Sequence, residues 1–290
     1  MHKAAKELGY RVNYLARSLT NQRSDLVGVV AAGLDNPFRT LQIEQICKTL
    51  LARNFRPVLL PTSNSADTSH VIGQLLHYSV SGVLVTSDAP PTSLCEECAA
   101  YGVPIVLINK GDEIPLVDRV VSDNETAGRL AAETLIAGGA RRPAVMAATA
   151  ISYTARCRVG AFLAHCRALG VAADVISVAI NDYTHGFEGA GQLNGTGIDG
   201  LFCVNDYMAC GVIDRLRQER PRRGARPVRI IGHDDIAQAS WGAYRLTTFL
   251  QPCDLQAGQA IDLLTSRMAA PALPARLETT PVTLVTRKSA

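Results

Sequence analysis

The feature that most constrains the fold of this chain is an alternation of short apolar runs with longer amphipathic stretches. It starts at Leu26 and continues almost to the end of the sequence. The runs are rich in valine and isoleucine, as in LVGVVAAG from Leu26 and VRIIGHDD from Val228. Such runs indicate strands that are buried on both faces, and strands separated by helices indicate parallel sheets covered on both sides. We therefore predict an α/β fold.

The alternation falls into two series of similar length within 290 residues, which is long enough for two separate cores. We therefore predict two doubly wound parallel-sheet lobes, whose shared crevice lies at the carboxyl ends of the strands. The last elements are too few for a third domain, so we expect them to cross back and complete both lobes. The predicted division is 1–25 as a short N-terminal segment, 26–122 plus 252–275 as the first lobe, and 123–251 plus 276–290 as the second, with crossings near 121–124, 250–253 and 271–278.

Composition argues against several classes of protein. No apolar run approaches the about 20 residues of a membrane span. The first twenty residues lack the apolar centre of a signal peptide, so we predict a cytoplasmic protein without a membrane partner. The eight cysteines are scattered through apolar segments, which indicates reduced thiols. Cys95 and Cys98 form a C-x-x-C without a second pair or suitably spaced histidines, so we expect no bound metal.

Motifs of catalysis and of cofactor binding are missing from the sequence. It contains no G-x-S-x-G, no H-E-x-x-H and no P-loop. The glycine-rich GAGQLNG at 189–195 lacks the G-x-G-x-x-G spacing of a dinucleotide site. We therefore predict that the protein is not an enzyme and uses no cofactor.

Positive charge is concentrated at the N-terminus. The net charge of the whole chain is only +3. Residues 1–23 nevertheless contain five basic side chains and a single acidic one, Glu7. A local basic segment of this kind is typical of contact with nucleic acid.

The segment AAKELGYRVNYLARSL at 4–19 resembles the end of the DNA-binding headpiece of the LacI/GalR family, where an L-G-Y turn precedes an N-x-x-A-R-S-L hinge. Further similarities follow in order through the chain, in DNPF, TARCR, VNDYMACG, IIGHDD and TTFLQP. The resemblance implies a homodimeric transcriptional repressor with a fold like the type I periplasmic binding proteins. It also implies that a small-molecule effector, a sugar or sugar acid, controls the binding of operator DNA.

The resemblance assigns the hinge to Asn13, Arg17, Ser18 and Leu19. Such a hinge forms a short helix in the minor groove, where Leu19 would wedge into a base step and kink the duplex. A helix-turn-helix precedes this segment in the family, and the present sequence begins after it. We therefore expect the chain alone to bind DNA weakly and in a salt-sensitive way.

Polar or aromatic residues follow several predicted strands, at the edge where parallel sheets bind ligands. Arg39 stands where most relatives have an apolar or aromatic residue, and a guanidinium suits a carboxylate or phosphate. This favours an anionic effector, although a solvated Arg39 and a neutral sugar are the alternative. The expected effector-binding residues are Phe38, Arg39, Ser87, Asp123, Arg158, Tyr183, Asn205, Asp234 and Gln251.

Three neighbouring residues are expected to have structural roles. Asp206 and Asp235 follow strands at positions suited to helix caps. His233 is expected to pack in the core. The main alternative to a repressor is a periplasmic-type sugar-binding protein without a DNA role, which would need a signal peptide but no A-R-S-L hinge.

Overall fold

The computed structural model describes residues 24–63, 65–87, 89–111, 113–219 and 227–290. Its strands are β1 Leu26–Ala31, β2 Arg56–Pro61, β3 Gly82–Val85, β4 Ile105–Ile108, β5 Asp118–Ser122, β6 Pro143–Ala148, β7 Asp174–Val178, β8 Gly200–Cys203, β9 Arg229–Ile231, β10 Thr248–Leu250, β11 Leu277–Thr280 and β12 Thr283–Val285. Its helices are α1 Pro37–Ala52, α2 Ser65–His77, α3 Thr92–Ala100, α4 Asn124–Ala137, α5 Tyr153–Ala168, α6 Tyr183–Gly189, α7 Asp206–Gln218, α8 Ala237–Ser240 and α9 Cys253–Ala269.

Two parallel sheets organise these elements and confirm the predicted two-lobed α/β architecture. The first sheet has six strands in the order β11-β5-β4-β3-β1-β2, and the second has four in the order β7-β6-β8-β9. The strands of both sheets pair in parallel. A short antiparallel pair, β10 with β12, lies beside the chain that follows β9, because Ile231 bridges to Thr247 and Asp234 to Leu250.

The third crossing between the lobes lies later than the sequence predicts. Residues 276–290 were assigned to the second lobe, but Leu277 pairs with Arg119 and Thr280 with Ser122 in the first sheet. The assignment was therefore wrong for β11, and the chain crosses between Thr280 and Thr283. The sequence of β11 is LETT, with three exposed residues, so it lacks the apolar run that marks the other strands.

Each lobe has its own core. In the first lobe, α1 and α9 cover one face of the sheet through buried residues such as Ile46 and Leu264, and α2 and α3 cover the other. In the second lobe, the Phe202 ring lies between those of Phe162 and Phe249, at centroid distances of 5.6 and 6.3 Å. Among the described residues, no helix is both long and apolar enough to span a membrane.

A buried ion cluster fastens the connector before β11 to the first lobe. Asp118 is fully buried and accepts hydrogen bonds from Arg267 Nη2 at 2.7 Å and from Arg276 Nη2 at 2.8 Å. Arg267 also donates to the carbonyl oxygens of Pro271, Leu273 and Pro274. One carboxylate thus joins the start of β5, the end of α9 and the turn that leads into β11.

Candidate ligand cleft

The first lobe contributes an aromatic ring to the cleft from the start of α1. Asn36 caps this helix, because its Oδ1 accepts from the backbone N–H groups of Phe38 at 3.0 Å and Arg39 at 3.3 Å. Proline at the first helical position also favours a helix start. The Phe38 ring is buried and packs with the core of the second lobe. It therefore closes one side of the space between the lobes.

Arg39 lies beside Phe38 and is exposed. Its Nη1 donates to the carbonyl oxygen of Ala32 at 3.1 Å, so part of its hydrogen-bonding capacity is already used within the first lobe. Its charge still acts across the cleft, because it lowers the pKa of Asp234 in the second lobe. Arg39 is thus placed at the rim, within electrostatic reach of the buried groups.

Arg158, on α5, is the buried cation of the cleft. Its Nη1 donates to Asn124 Oδ1 at 2.6 Å, and the Asn124 amide donates in turn to the carbonyl oxygen of Ser122 at 2.6 Å. Burial lowers the pKa of Arg158 to about 10, and the charge of Asp234 acts in the opposite direction. Its Nε has no hydrogen-bond partner within the described part of the chain.

Asp234, Gln251 and Ser122 form a bridge between the lobes. Gln251, at the second crossing, donates from Nε2 to Asp234 Oδ1 at 2.7 Å, and its Oε1 accepts from Ser122 Oγ. Burial raises the pKa of Asp234 well above its usual value, although Arg158 and the hydrogen bond from Gln251 lower it. The carboxylate of the second lobe is therefore tied to the last residue of β5 in the first.

The bridge continues into the first lobe through two further glutamines. Gln256, on α9, donates to Ser122 Oγ at 3.3 Å and to Asn109 Oδ1 at 3.2 Å. Gln42, on α1, donates to Gln256 Oε1 at 2.5 Å. Buried amides of this kind are stable only when they are bonded to one another, so the network holds α1, α9 and β5 in one arrangement.

Comparison with known proteins identifies the fold and the family. Residues 24–269 match the family described as periplasmic binding proteins and the sugar binding domain of the LacI family. This match covers most of the 290 residues. The chain belongs to the LacI/GalR family of transcriptional regulators.

The relatives of this LacI/GalR-family chain are regulators rather than enzymes. It is 29% identical over 294 residues to the ribose operon repressor of Escherichia coli K12, covering 99% of this chain and 88% of that protein. It is 28% identical over 280 residues to the HTH-type transcriptional regulator CelR of Thermobifida fusca, covering 92% and 81%. The crystal structure of a LacI-family regulator from Enterococcus faecium with bound ribose has the same fold, with a TM-score of 0.82 at 21% identity over 91% of this chain and 98% of that one.

Four of the nine predicted effector-binding residues meet around the cleft: Phe38, Arg158, Asp234 and Gln251. Arg39 lies at the rim. Ser87 is buried inside the first lobe, where its hydroxyl lies 3.1 Å from that of Thr68. Asp123 accepts from the backbone N–H of Thr126 at 3.0 Å and caps α4.

The prediction that Asp206 caps the helix after β8 was wrong, because Asn205 is the cap. Asn205 caps α7 by accepting from the N–H of Met208 at 2.8 Å, and its amide also donates to the carbonyl oxygen of Asn181. Asp206 lies inside the lobe and accepts from Thr248 Oγ1 at 2.5 Å. The backbone of Asn205 is extended, as a cap requires, and this places the next side chain in the interior.

The remaining predicted residues have other partners. The Tyr183 hydroxyl donates to Asp214 Oδ2 at 2.8 Å, and its ring lies beside Tyr207, so its contacts join α6 to α7. Asp235 does not cap α8, whose first residues have no side-chain cap; its Oδ1 lies 2.7 Å from Arg287 Nη2. The predicted hinge residues Asn13, Arg17, Ser18 and Leu19 fall outside the described residues.

Sequence reasoning missed the polar residues that support the cleft. Asn124 orients Arg158, and Ser122 with Gln256 extends the bridge from Gln251. Asn124 and Ser122 flank Asp123 at the end of a buried strand, which is a signal that could have found them. Gln256 carries no such signal. Within the described ranges, no group of three or more histidine, cysteine, aspartate or glutamate side chains is placed to hold a metal ion.

Proposed function

We propose that this protein senses a small sugar-like metabolite between its two lobes and thereby controls the binding of operator DNA in the cytoplasm. The buried group formed by Arg158, Asp234 and Gln251 at the crossing between the lobes carries the proposal. The family of the chain and the printed names of its relatives, which include operon repressors, support it. A sugar-binding protein without a DNA role has the same fold, and those names favour the regulator.

The chemistry of the cleft suits a polyhydroxylated ligand. A sugar hydroxyl both donates and accepts, and Asp234 supplies an acceptor beside the donor groups of Arg158. The buried ring of Phe38 offers an apolar surface against which a sugar ring can pack. A few convergent polar groups beside an aromatic ring are typical of small-molecule sites.

The bridge also explains how binding could reach the DNA-binding end. Gln251 contacts Asp234 in the second lobe and Ser122 in the first, so a ligand that engages Asp234 acts directly on a contact between the lobes. A ligand shifts the equilibrium between two lobe arrangements by its difference in affinity for them. The predicted contacts of Asn13, Arg17, Ser18 and Leu19 with operator DNA would respond to that shift.

The class of effector is the finer part of this proposal. We favour a sugar acid or sugar phosphate, because Arg39 places a second positive charge at the rim near Arg158 and Asp234. D-ribose represents the neutral class, since ribose is the ligand named for one structure of the same fold. The two classes differ in their dependence on Arg39.

We expect Arg158→Ala to weaken the binding of sugars of both classes, and Arg39→Ala to weaken the binding of anionic sugars only. Each loss of binding free energy should be about 1.5–3 kcal/mol, the range for a hydrogen bond to a charged group. Isothermal titration calorimetry with D-ribose, D-ribose 5-phosphate and D-gluconate measures both effects. Arg129→Ala, an exposed arginine paired with Glu133 on α4, is the matched control. Unchanged affinity for every ligand in Arg158→Ala would contradict the proposed site. If the tightest ligand is a neutral sugar and Arg39→Ala does not change its affinity, only the proposal of an anionic effector is contradicted.

We further propose that the protein is a homodimer that uses the free edge of the first sheet. Among the described residues, strand β2 pairs with β1 alone, and its other side is an open edge. Leu59 on β2 and Leu51 on α1, which packs beside it, are 41% and 51% exposed. Apolar side chains at an open edge strand favour pairing with another chain, and a second copy makes the contact self-complementary.

The expected result in sedimentation velocity is a dimer for the parent chain and a monomer for Leu59→Asp, because a charge would be buried at the centre of the contact. Leu169→Asp, at the exposed end of α5 in the other lobe, is the control and should stay dimeric. A monomeric parent at micromolar concentration, or a dimeric Leu59→Asp, would contradict this interface.

A further inference from the structure

His233 occupies a fixed position beside Gln251 and Asp234, two buried groups of the cleft. It follows β9, and its side chain is fully buried. Its carbonyl oxygen accepts from the N–H of Asp206 at 2.8 Å, and its ring lies 6.0 Å from that of Phe249. Packing and backbone bonding therefore hold the imidazole in one place.

Nδ1 of this ring faces both Gln251 and Asp234. The Gln251 amide nitrogen donates to Asp234 Oδ1 at 2.7 Å and lies 3.2 Å from His233 Nδ1, and Asp234 Oδ1 lies 3.2 Å from the same ring nitrogen. An amide donates to a bare Nδ1, whereas a carboxyl oxygen accepts from Nδ1–H, so these contacts fit either tautomer of the neutral ring. In both tautomers they occupy Nδ1, and Nε2 remains for another partner.

The ring carries no charge. Burial, and then the positive charge of Arg158, hold the pKa of His233 well below its usual value. The imidazole is therefore neutral at physiological pH and has a single N–H group. It offers one hydrogen-bonding nitrogen to its surroundings without adding a second cation beside Arg158.

The second ring nitrogen lacks a partner. His233 Nε2 and Arg158 Nε are both buried without a hydrogen bond among the described residues. The two side chains interact electrostatically with each other, and Arg158 does so with Asp234 as well. A buried polar nitrogen without a partner costs about 1–3 kcal/mol, so two of them on neighbouring side chains indicate that the cleft is built for a ligand with hydroxyl groups.

We propose that His233 contacts the ligand directly, through a hydrogen bond between Nε2 and a hydroxyl of the sugar that Asp234 and Arg158 also hold. This inference rests on the proposed function and adds a specificity residue to the cleft. A hydroxyl donates to a bare Nε2 and accepts from Nε2–H, so it pairs with either tautomer of the ring. Replacing it by hydrogen leaves Nε2 unpaired, and the cleft discriminates against the corresponding deoxy sugar.

The test combines a ring substitution with deoxy ligands. His233→Phe keeps an aromatic ring of similar size and removes both nitrogens; His70→Phe, on the exposed face of α2, is the control. Calorimetry with D-ribose and 2-deoxy-D-ribose, or with the tightest sugar of a neutral and anionic panel and its monodeoxy analogues, measures affinity. We expect about tenfold weaker binding of the parent sugar by His233→Phe, and little or no loss for the analogue that lacks the contacted hydroxyl.

A second measurement needs no variant protein. In ¹⁵N spectra of histidine-labelled chain, we expect the Nε2 signal of His233 to shift when the sugar is added. Equal affinities in parent and His233→Phe, or an Nε2 signal that does not change on addition of the sugar, would overturn the inference and assign Nε2 to a trapped water. Failure of every sugar to bind the parent would overturn the proposed function, and the inference with it.

Discussion

Asp118→Ala is expected to lower the free energy of unfolding by about 3–5 kcal/mol, because it leaves buried guanidinium charge without a counter-ion. Asp118 is completely buried, and the Arg267 side chain is only 3% exposed. Arg276, the second partner, is 30% exposed and regains part of its hydration. Most of the cost therefore comes from Arg267.

Hydrogen bonds to backbone and carboxylate oxygens add to the charge attraction in this cluster. Arg267 donates to both carboxylate oxygens of Asp118 and to three carbonyl oxygens in the turn before β11. Burial acts to raise the pKa of Asp118, but the hydrogen bonds from Arg267 and Arg276 outweigh it and hold this pKa below its usual value. The stabilisation from Asp118 is thus present above the unfolded-state pKa of about 4 and is lost as the pH falls through the lower folded-state value.

Urea unfolding followed by circular dichroism at pH 7 measures the effect. The matched control is Asp262→Ala on α9, which breaks the solvent-exposed ion pair with Arg53 and should cost less than about 1 kcal/mol. Asp118→Asn keeps the shape and one acceptor oxygen, and we expect an intermediate loss. If Asp118→Ala costs no more than Asp262→Ala, then water must enter the cluster and hydrate Arg267.

The fold could be predicted from the sequence wherever an element carries its own local signal. Buried strands such as β3 have unbroken apolar runs, and the start of α1 has asparagine followed by proline. Strand β11 has no such signal, since LETT is held in the sheet by pairing with β5 and not by apolar burial. A strand defined by its neighbour cannot be found from its own residues.

The cleft could be predicted only in part, for a related reason. Family resemblance identified Arg158, and a strand end identified Asp234. A strand end alone does not decide which neighbouring side chain faces inward, as Asn205 and Asp206 show. The bridge from Gln251 to Ser122 joins residues 129 positions apart. Such contacts depend on where the crossings bring the chain, and local patterns carry no information about that.

The stability of the protein should depend on pH through Asp206. This carboxyl is fully buried in the second lobe, where it accepts from Thr248 Oγ1 at 2.5 Å and from the backbone N–H of Ile236 at 3.0 Å. Burial raises the pKa of Asp206 to about 7, although both hydrogen bonds act to lower it. Asp235 raises this pKa further and Arg287 lowers it, so the nearby charges partly cancel.

The direction of this pH dependence follows from the difference between the pKa of Asp206 in the folded chain and in the unfolded chain. The unfolded chain releases the proton near pH 4, whereas the folded chain keeps it until about pH 7. The contribution of Asp206 to the free energy of unfolding is therefore complete below about pH 4. It decreases by about 1.4 kcal/mol for each pH unit between about pH 4 and pH 7. The buried Asp234, whose pKa is also raised, acts in the same direction, and Asp118 acts only at lower pH.

We therefore expect the parent chain to lose about 2–3 kcal/mol of unfolding free energy between pH 5 and pH 7, relative to Asp206→Asn. The asparagine oxygen can accept from Ile236 and its amide can donate to Thr248, so the variant keeps both contacts and loses only the titration. Urea titrations of both proteins at pH 5, 6 and 7 measure the difference. Comparison within each pH subtracts the effects that do not depend on the charge of Asp206; the pKa of Asp234 does depend on it, because Asp206 raises this pKa. Parallel curves for the two proteins would mean that Asp206 is already ionised in the folded state at pH 5. The charge of Arg287 would then have to compensate for its burial.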